Sequence, residues 1–560
     1  MGANRPARLI LLLLFLSLAT ALLFYNCCLD RLITAMYRGE SFPLLNHLIH
    51  NTDNSPVSYY LLRARLVFTY LTLLGVTALL GLAAAMAHDY TRRNVVDFFT
   101  TPTSPLNLAI FRVAVFVGVL SQIHPSETIW FGKVPHVLQM APFGVGWLLP
   151  HLPISASSMT LAVILLILAC VTGTIGLFAR TSAFFALIGA FYVLGVPEFY
   201  GTVEHYHHLI WFLAILAVSP SGDALSVDAF LKTKRANGRL SALPQPSVVY
   251  SLPLRFASLL IGVIYFFPGL WKIRISGFDW AFTDNLRYVM YARWADLDAF
   301  TPLFRLDLHP WLYRSIALGT LVFELSFIFV IFFPRLRPLA ALVGLGFHLG
   351  SGMFMRIPFF DLWICYVVLF DSSGWLDTLG RRLFPSGLAG RMLTHDPSVE
   401  LDSRNVAVAG SGARRYMPVA IVGTMLLVAC CYWGSRGIVR GWPFACYPRF
   451  AWNPGSEVES IEISALTPGG KVVFQDTPDL HRTLPYHAFG GQLGSLLGTW
   501  KQDPIGFAQR MRALWSLHVQ QDPHLGSASI IHCYRVTLNT IPERRYLNPL
   551  QRELIFEFRP

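Results

Sequence analysis

Apolar residues in this chain come in long runs separated by short polar stretches, a rhythm that predicts transmembrane helices. The first two runs cover 9–25 and 67–87. Nine more centre on 108–121, 159–178, 183–196, 209–218, 254–271, 316–333, 339–354, 359–370 and 419–433. A spanning helix needs about 20 residues, so the pattern predicts an all-α polytopic membrane bundle of about eleven spans. Beyond Gly434 the period changes from helical to alternating. Segments 458–466, 471–474, 530–538 and 553–558 read as strands, and 504–519 reads as a helix. The expected organisation is an N-terminal transmembrane hairpin (1–96), a membrane domain (97–371), a loop with the last span (372–440) and a small α+β, strand-rich extramembrane domain (441–560).

Composition agrees with the pattern. Of the 560 residues 54% are hydrophobic and 14% charged, against roughly 25% charged in a soluble domain. The net charge of +12 belongs to basic loops between apolar spans, which makes nucleic acid a poor partner and the lipid bilayer the obvious one. Arg92/Arg93, Arg180, Lys232/Lys234, Arg335/Arg337 and Arg381/Arg382 fall in alternate loops. That alternation predicts a multi-pass protein of the cell membrane with its N-terminus cytoplasmic and its C-terminal domain extracytoplasmic. The basic stretch from Arg274 to Arg314 breaks the alternation. Its Trp280, Phe282, Tyr288 and Trp294 suggest helices lying at the membrane surface, where arginines snorkel.

Arg5 and Arg8 ahead of the first run also fit a signal peptide, with Ala19-Thr20-Ala21 as a cleavage site. That triplet sits inside the run, which favours an uncleaved helix. The eight cysteines show no metal spacing; Cys446 and Cys533 share the outer domain and either pair there or remain thiols. The lack of an acceptable glycosylation acceptor sits comfortably with a bacterial source.

Ionisable groups inside apolar runs are the candidates for chemistry, because they are costly there. Glu204, His205, His207 and His208 open one run. Lys272 closes the next, behind Tyr265-Phe266-Phe267-Pro268-Gly269-Leu270-Trp271, and Glu324 and His348 lie within later ones. Each also has a structural reading. A lysine at a span end anchors by snorkelling, a lone histidine bonds a neighbouring helix, and Glu324 pairs with a cation. His205 and His208 at i, i+3 would share a helix face and could hold a metal, but no carboxylate–histidine pattern recurs to complete a site.

Several stretches, taken in order, resemble a known family. Asn107-Leu108-Ala109-Ile110-Phe111-Arg112 resembles an arginine-bearing opening helix. His205 is followed by Leu225-Ser226-Val227-Asp228-Ala229, then by Tyr265-Phe266 through Gly269-Leu270-Trp271-Lys272 with Trp280 beyond, then by Phe347-His348 leading to Phe360. From about Asp97 to Asp371 the chain resembles the membrane portion of vitamin K-dependent gamma-glutamyl carboxylases and their bacterial relatives, the horizontally transferred transmembrane (HTTM) proteins.

The resemblance implies a chemistry. Lys272 looks like the family's base toward reduced vitamin K or a related quinol, and His205 and His348 look like its active-site histidines. A protein or peptide glutamate would be the carboxylated substrate, and Trp271 and Phe267 are candidates for contacting the cofactor. A dry pocket disfavours a charged lysine, which suits that role. The chain departs from the family in carrying Glu204 where an Asn is expected, in a longer gap from Lys272 to Trp280, and in a small outer domain. Three readings follow: a quinol-dependent enzyme, a non-catalytic membrane protein whose outer domain binds a partner, and a transporter. The transporter should show matching halves, and none are seen.

Overall fold

The computed structural model describes residues 5–40, 56–148, 151–201, 205–235, 243–296, 300–375, 378, 413–445, 450–476, 496–498, 500–544 and 549–560. Glu204, Cys446 and most of the basic stretch before the last span lie outside these residues. The chain falls into two compact units, Met1–Thr101 with Gly144–Pro150, and Pro102–Phe143 with His151–Pro560.

The first unit holds α1 (Arg5–Phe24), α2 (Asp30–Tyr37), α3 (Val57–Ala87) and α4 (Asp89–Thr100). Asp30 on α2 pairs with Arg65 on α3, and Phe24 stacks on Phe68.

The second unit begins with α5 (Pro105–Gln122), whose start is set by Ser104 as N-cap and a proline in the first turn. It continues through α6 (Pro125–Phe131), α7 (Ala156–Ile175) and α8 (Ala179–Val193). Ser155 and Ser158 form a capping box at α7, and Gly176, at φ +71°, closes it. Ala179, Ala183, Ala186 and Ala190 form a small-residue stripe on α8, all buried. Such a stripe lets helix backbones approach closely where lipid supplies no hydrophobic drive. Next come α9 (His207–Val218), α10 (Val227–Arg235), α11 (Val248–Ser276), α12 (Asp279–Phe282), α13 (Asn285–Asp296), α14 (Pro310–Val330), α15 (Arg337–Met355), α16 (Phe360–Trp363) and α17 (Ala413–Arg436).

Among the described residues eight helices are long and apolar enough to cross a membrane. The 31-residue α3 covers the second expected span. Two expected spans are too short to cross. With 12 residues, α9 rises about 18 Å, against a hydrocarbon layer of about 30 Å; α16 with its following 3-10 turn, Ile364–Leu369, is of similar length. Their apolar runs are real, but the helices they form are short. At its far end α9 meets the α7–α8 turn, where Arg180 donates to the Ser219 carbonyl. The segment carrying His205 therefore lies at the opposite end of α9 from that turn.

The basic stretch that broke the loop alternation forms α12, α13 and a 3-10 turn, Leu306–Leu308. Val289, Met290, Tyr291, Trp294, Leu306 and Tyr313 form one buried cluster there, packed against Phe450 and Ile541 of the C-terminal region. Arg305 grips Asp307 and reaches Glu543 at 2.7 Å. Burial raises the Asp307 pKa, but the hydrogen bonds from Arg305 and Tyr291 outweigh it, and the carboxyl sits below its ordinary range.

The C-terminal region is the expected α+β domain. β1 (Glu457–Leu466), β2 (Val472–Asp476), β3 (Ile530–Asn539) and β4 (Gln551–Phe558) form an antiparallel sheet in the order β2-β1-β3-β4. Between β2 and β3 runs α18 (Pro504–Gln521), capped by Asp503. Phe507 and Trp515 on α18 meet Phe556 and Phe474 of the sheet. Cys533 is buried on β3.

Candidate functional site

Side chains from α11, α14 and α15, roofed by α12, α13 and Phe450, line a half-open cavity of about 420 Å³. Helical spacing on α11 decides which residues reach it. Tyr265, Pro268 and Lys272 share the face that lines the cavity. Pro268 cannot donate to the Ile264 carbonyl one turn earlier, so the helix is weakened where the wall must open.

Lys272, His205 and His348 all line this cavity. The amine of Lys272, 5% exposed, pairs with Glu324 of α14, 3% exposed, and sits 4.9 Å from the centre of the Trp280 ring. Trp280 in turn donates to the Phe450 carbonyl at 2.6 Å, which ties the roof to the C-terminal region. His348 is 1% exposed. His205 and His348 each set their rings edge-on to Phe359, at 5.2 and 5.3 Å. Phe359 has φ +46°, and Arg356 three residues earlier has φ +54°. Two non-glycine residues in this region carry strain, which is held where it aims a ring between two imidazoles.

Three hydroxyl and imidazole groups form a short chain behind His348. The Tyr265 hydroxyl lies 2.5 Å from His348 Nε2 and 2.5 Å from the Tyr366 hydroxyl. Among the described residues Nδ1 of the same imidazole ring has no hydrogen-bond partner, so the network holds the ring through Nε2 alone, whichever nitrogen carries the hydrogen.

The other sequence candidates go elsewhere. Trp271 and Phe267, one helical turn apart on α11, face α17 instead of the cavity. Trp271 donates to the Gly434 carbonyl at 2.7 Å, and Phe267 packs where Gly434 leaves room. The histidine cluster splits in three directions. His207 meets Glu198 at 3.2 Å and His208 meets the Asp361 carbonyl at 3.0 Å, both deeply buried. Because α9 starts only at His207, His205 is off the helix and the shared face expected of His205 and His208 does not form. Among the described residues no group of three His, Cys, Asp or Glu gathers as metal ligands.

Three of the motif residues build the scaffold. Arg112 is fully buried and donates to the carbonyls of Ser221, Ala224, Leu225 and Thr174. Asp228 accepts from the backbone of Phe178 and Ala179, both at 2.8 Å. Asn107 closes the domain by donating to Asp371 and accepting from Ser372. Tyr265, Tyr366 and Phe359 were not singled out as site residues from the sequence, because aromatic residues in apolar runs carry no mark of their own.

This is an integral membrane protein in which ionisable side chains converge on one half-open hollow. Residues 100–375 match the family model described as the HTTM domain, and over that stretch the chain belongs to the HTTM family. No curated protein and no solved structure matches the chain.

Proposed function

We propose that this protein is a quinol-dependent membrane enzyme of the carboxylase-like, lyase type, working on the extracytoplasmic side with Lys272 as its base. The observation that carries the reading is the single cavity in which one amine, one carboxylate and two imidazoles interrupt an apolar, aromatic wall. Its volume is in the range of small-molecule sites, and few polar groups in an apolar wall suit a planar ring with oxygen substituents. Gly319, Gly346 and Gly350 line it on α14 and α15, and a Cβ at any of them would meet open space.

A bound quinol would supply the reducing equivalents for a reaction with oxygen. The chain's own part is to position and to move protons. Lys272 Nζ, once neutral, takes a hydroxyl proton. His348 is held in place through Nε2 by Tyr265. The Trp280, Phe323, Phe347 and Phe359 rings exclude water, which strengthens every charge interaction inside. A protein or peptide glutamate is the substrate this reading names, approaching from the side of the C-terminal domain.

The test is oxygen uptake by purified protein supplied with a reduced methyl-naphthoquinone. Wild-type protein should consume oxygen beyond the rate without protein, and Lys272→Ala and His348→Ala should not. Wild-type protein without such uptake would favour the non-catalytic reading, in which the C-terminal domain binds a partner.

A further inference from the structure

We infer that Glu324 controls the basicity of Lys272: it keeps the amine protonated while the cavity is empty of ligand and takes that proton when an apolar ligand fills it. This rests on the reading of Lys272 as the base.

Three observations carry it. Lys272 and Glu324 are both nearly inaccessible and pair directly. The second carboxylate oxygen of Glu324 has no hydrogen-bond partner, so the ionised form is held by Lys272 with little other support. Gly269, one turn before Lys272, marks where the two helices must meet. A Cβ there would stand 2.9 Å from Glu324 Cβ and 3.3 Å from its free oxygen. The glycine in the Gly-x-x-Lys segment is thus the notch through which the carboxylate reaches the amine.

The ionisable groups facing the amine around the cavity are Glu324 from α14, Tyr265 from its own helix, His348 from α15 and His205 from the segment before α9. Among these Glu324 is the acid that can balance an ammonium. Buried ion pairs are poised between charged and neutral forms, because desolvation costs nearly as much as attraction returns. Displacing water from the cavity tips that balance toward the neutral pair. The Nζ–H bond breaks and a carboxyl O–H bond forms. The amine then takes the ligand's hydroxyl proton, the bonding pair staying on the ligand oxygen, and is an ammonium again. The free base forms only when the cavity is filled.

The test needs no turnover. Detergent-purified full-length protein is acetylated at neutral pH, and modification of Lys272 is followed by mass spectrometry against the exposed Lys471. Lys272 should resist in wild type and in Glu324→Asp, which keeps the charge. It should react at least about tenfold faster in Glu324→Gln, which keeps the shape and removes the charge, and in Gly269→Ala, which pushes the carboxylate away. Equal rates in Glu324→Gln and wild type overturn the inference, and that contrast decides even if Gly269→Ala fails to fold. In a second arm, infrared difference spectra are recorded on adding a dimethyl-naphthoquinone, which has no ionisable hydrogen. A protonated-carboxyl band should appear in wild type and vanish in Glu324→Gln. Binding without that band overturns the proton transfer. Failure to bind at all counts against the functional reading instead, and the acetylation contrast still decides what holds the charge of Lys272.

Discussion

The hydroxyl of Tyr265 and Nε2 of His348 stand 2.5 Å apart, joining two helices inside the membrane domain. The Tyr366 hydroxyl continues the chain, so the imidazole cannot turn without breaking a buried bond. Tyr265→Phe removes the hydroxyl that pairs with Nε2. It should lower stability in detergent by about 1–3 kcal/mol, measured by denaturant unfolding. Nitrogen NMR should also show the His348 Nε2 resonance shifting as that hydrogen bond is lost.

Gly346 and Gly350 face open space within the cavity wall. Gly346→Leu should therefore be accommodated by the fold, with a change in stability within about 1 kcal/mol, since leaving glycine in a helix is itself favourable by about that amount. The added side chain takes ligand volume. Naphthoquinol-dependent oxygen uptake should fall at least about tenfold, the cost of roughly 1.4 kcal/mol in binding, while the unfolding midpoint hardly moves. A loss of folded protein instead would mean that the hollow is not open at this point.

Arg112 answers four carbonyls from two segments, one of them belonging to Leu225, which has φ +44°. Arg112→Ala leaves these acceptors without a donor in a dry interior and should destabilise the membrane domain by about 3 kcal/mol or more. Arg112→Lys should recover little, because an ammonium lacks the planar fork. Thermal unfolding of the two variants side by side checks both statements.

His518 on α18 is buried against Phe474 and Trp515, and burial pushes its pKa down to about 4. The unfolded chain, near 6.5, binds the proton first, so stability is complete above pH 6.5 and is lost as pH falls toward 4. The loss should reach about 3 kcal/mol at pH 4. Hydrogen exchange of β1 and β3 in the full chain should quicken over that window, and His518→Phe should flatten the response.

The sequence was informative where one physical cause dominates. The alternating residues of β1 and β3 showed their strands to within a residue or so, and the apolar runs located the spans. Lys272, His205 and His348 could be picked because a polar group in an apolar run stands out. Length misled at 209–218, where an apolar run marks a helix that stops short of crossing. Direction misled at Trp271 and Phe267. Both belong to the aromatic wall before Lys272, but i, i+4 spacing puts them on the face toward α17. Phe359 and Tyr265 were invisible as site residues because what matters is the ring between two imidazoles and the hydroxyl behind one, and both depend on helices far apart in the chain. Arg112 and Asp228 show the converse: they belong to the family-like stretches yet serve the backbone of the scaffold.

The central claim is that one hollow presents Lys272, His205 and His348 to one aromatic ligand, and a photoreactive azido-naphthoquinone tests it most directly. Peptide mapping after illumination should find the label on α11, α14 and α15 residues of the cavity wall, in a ratio near one per chain and displaced by excess unlabelled quinone. Label spread over lipid-facing positions such as Leu342 and Met353, or label that unlabelled quinone cannot displace, would contradict it.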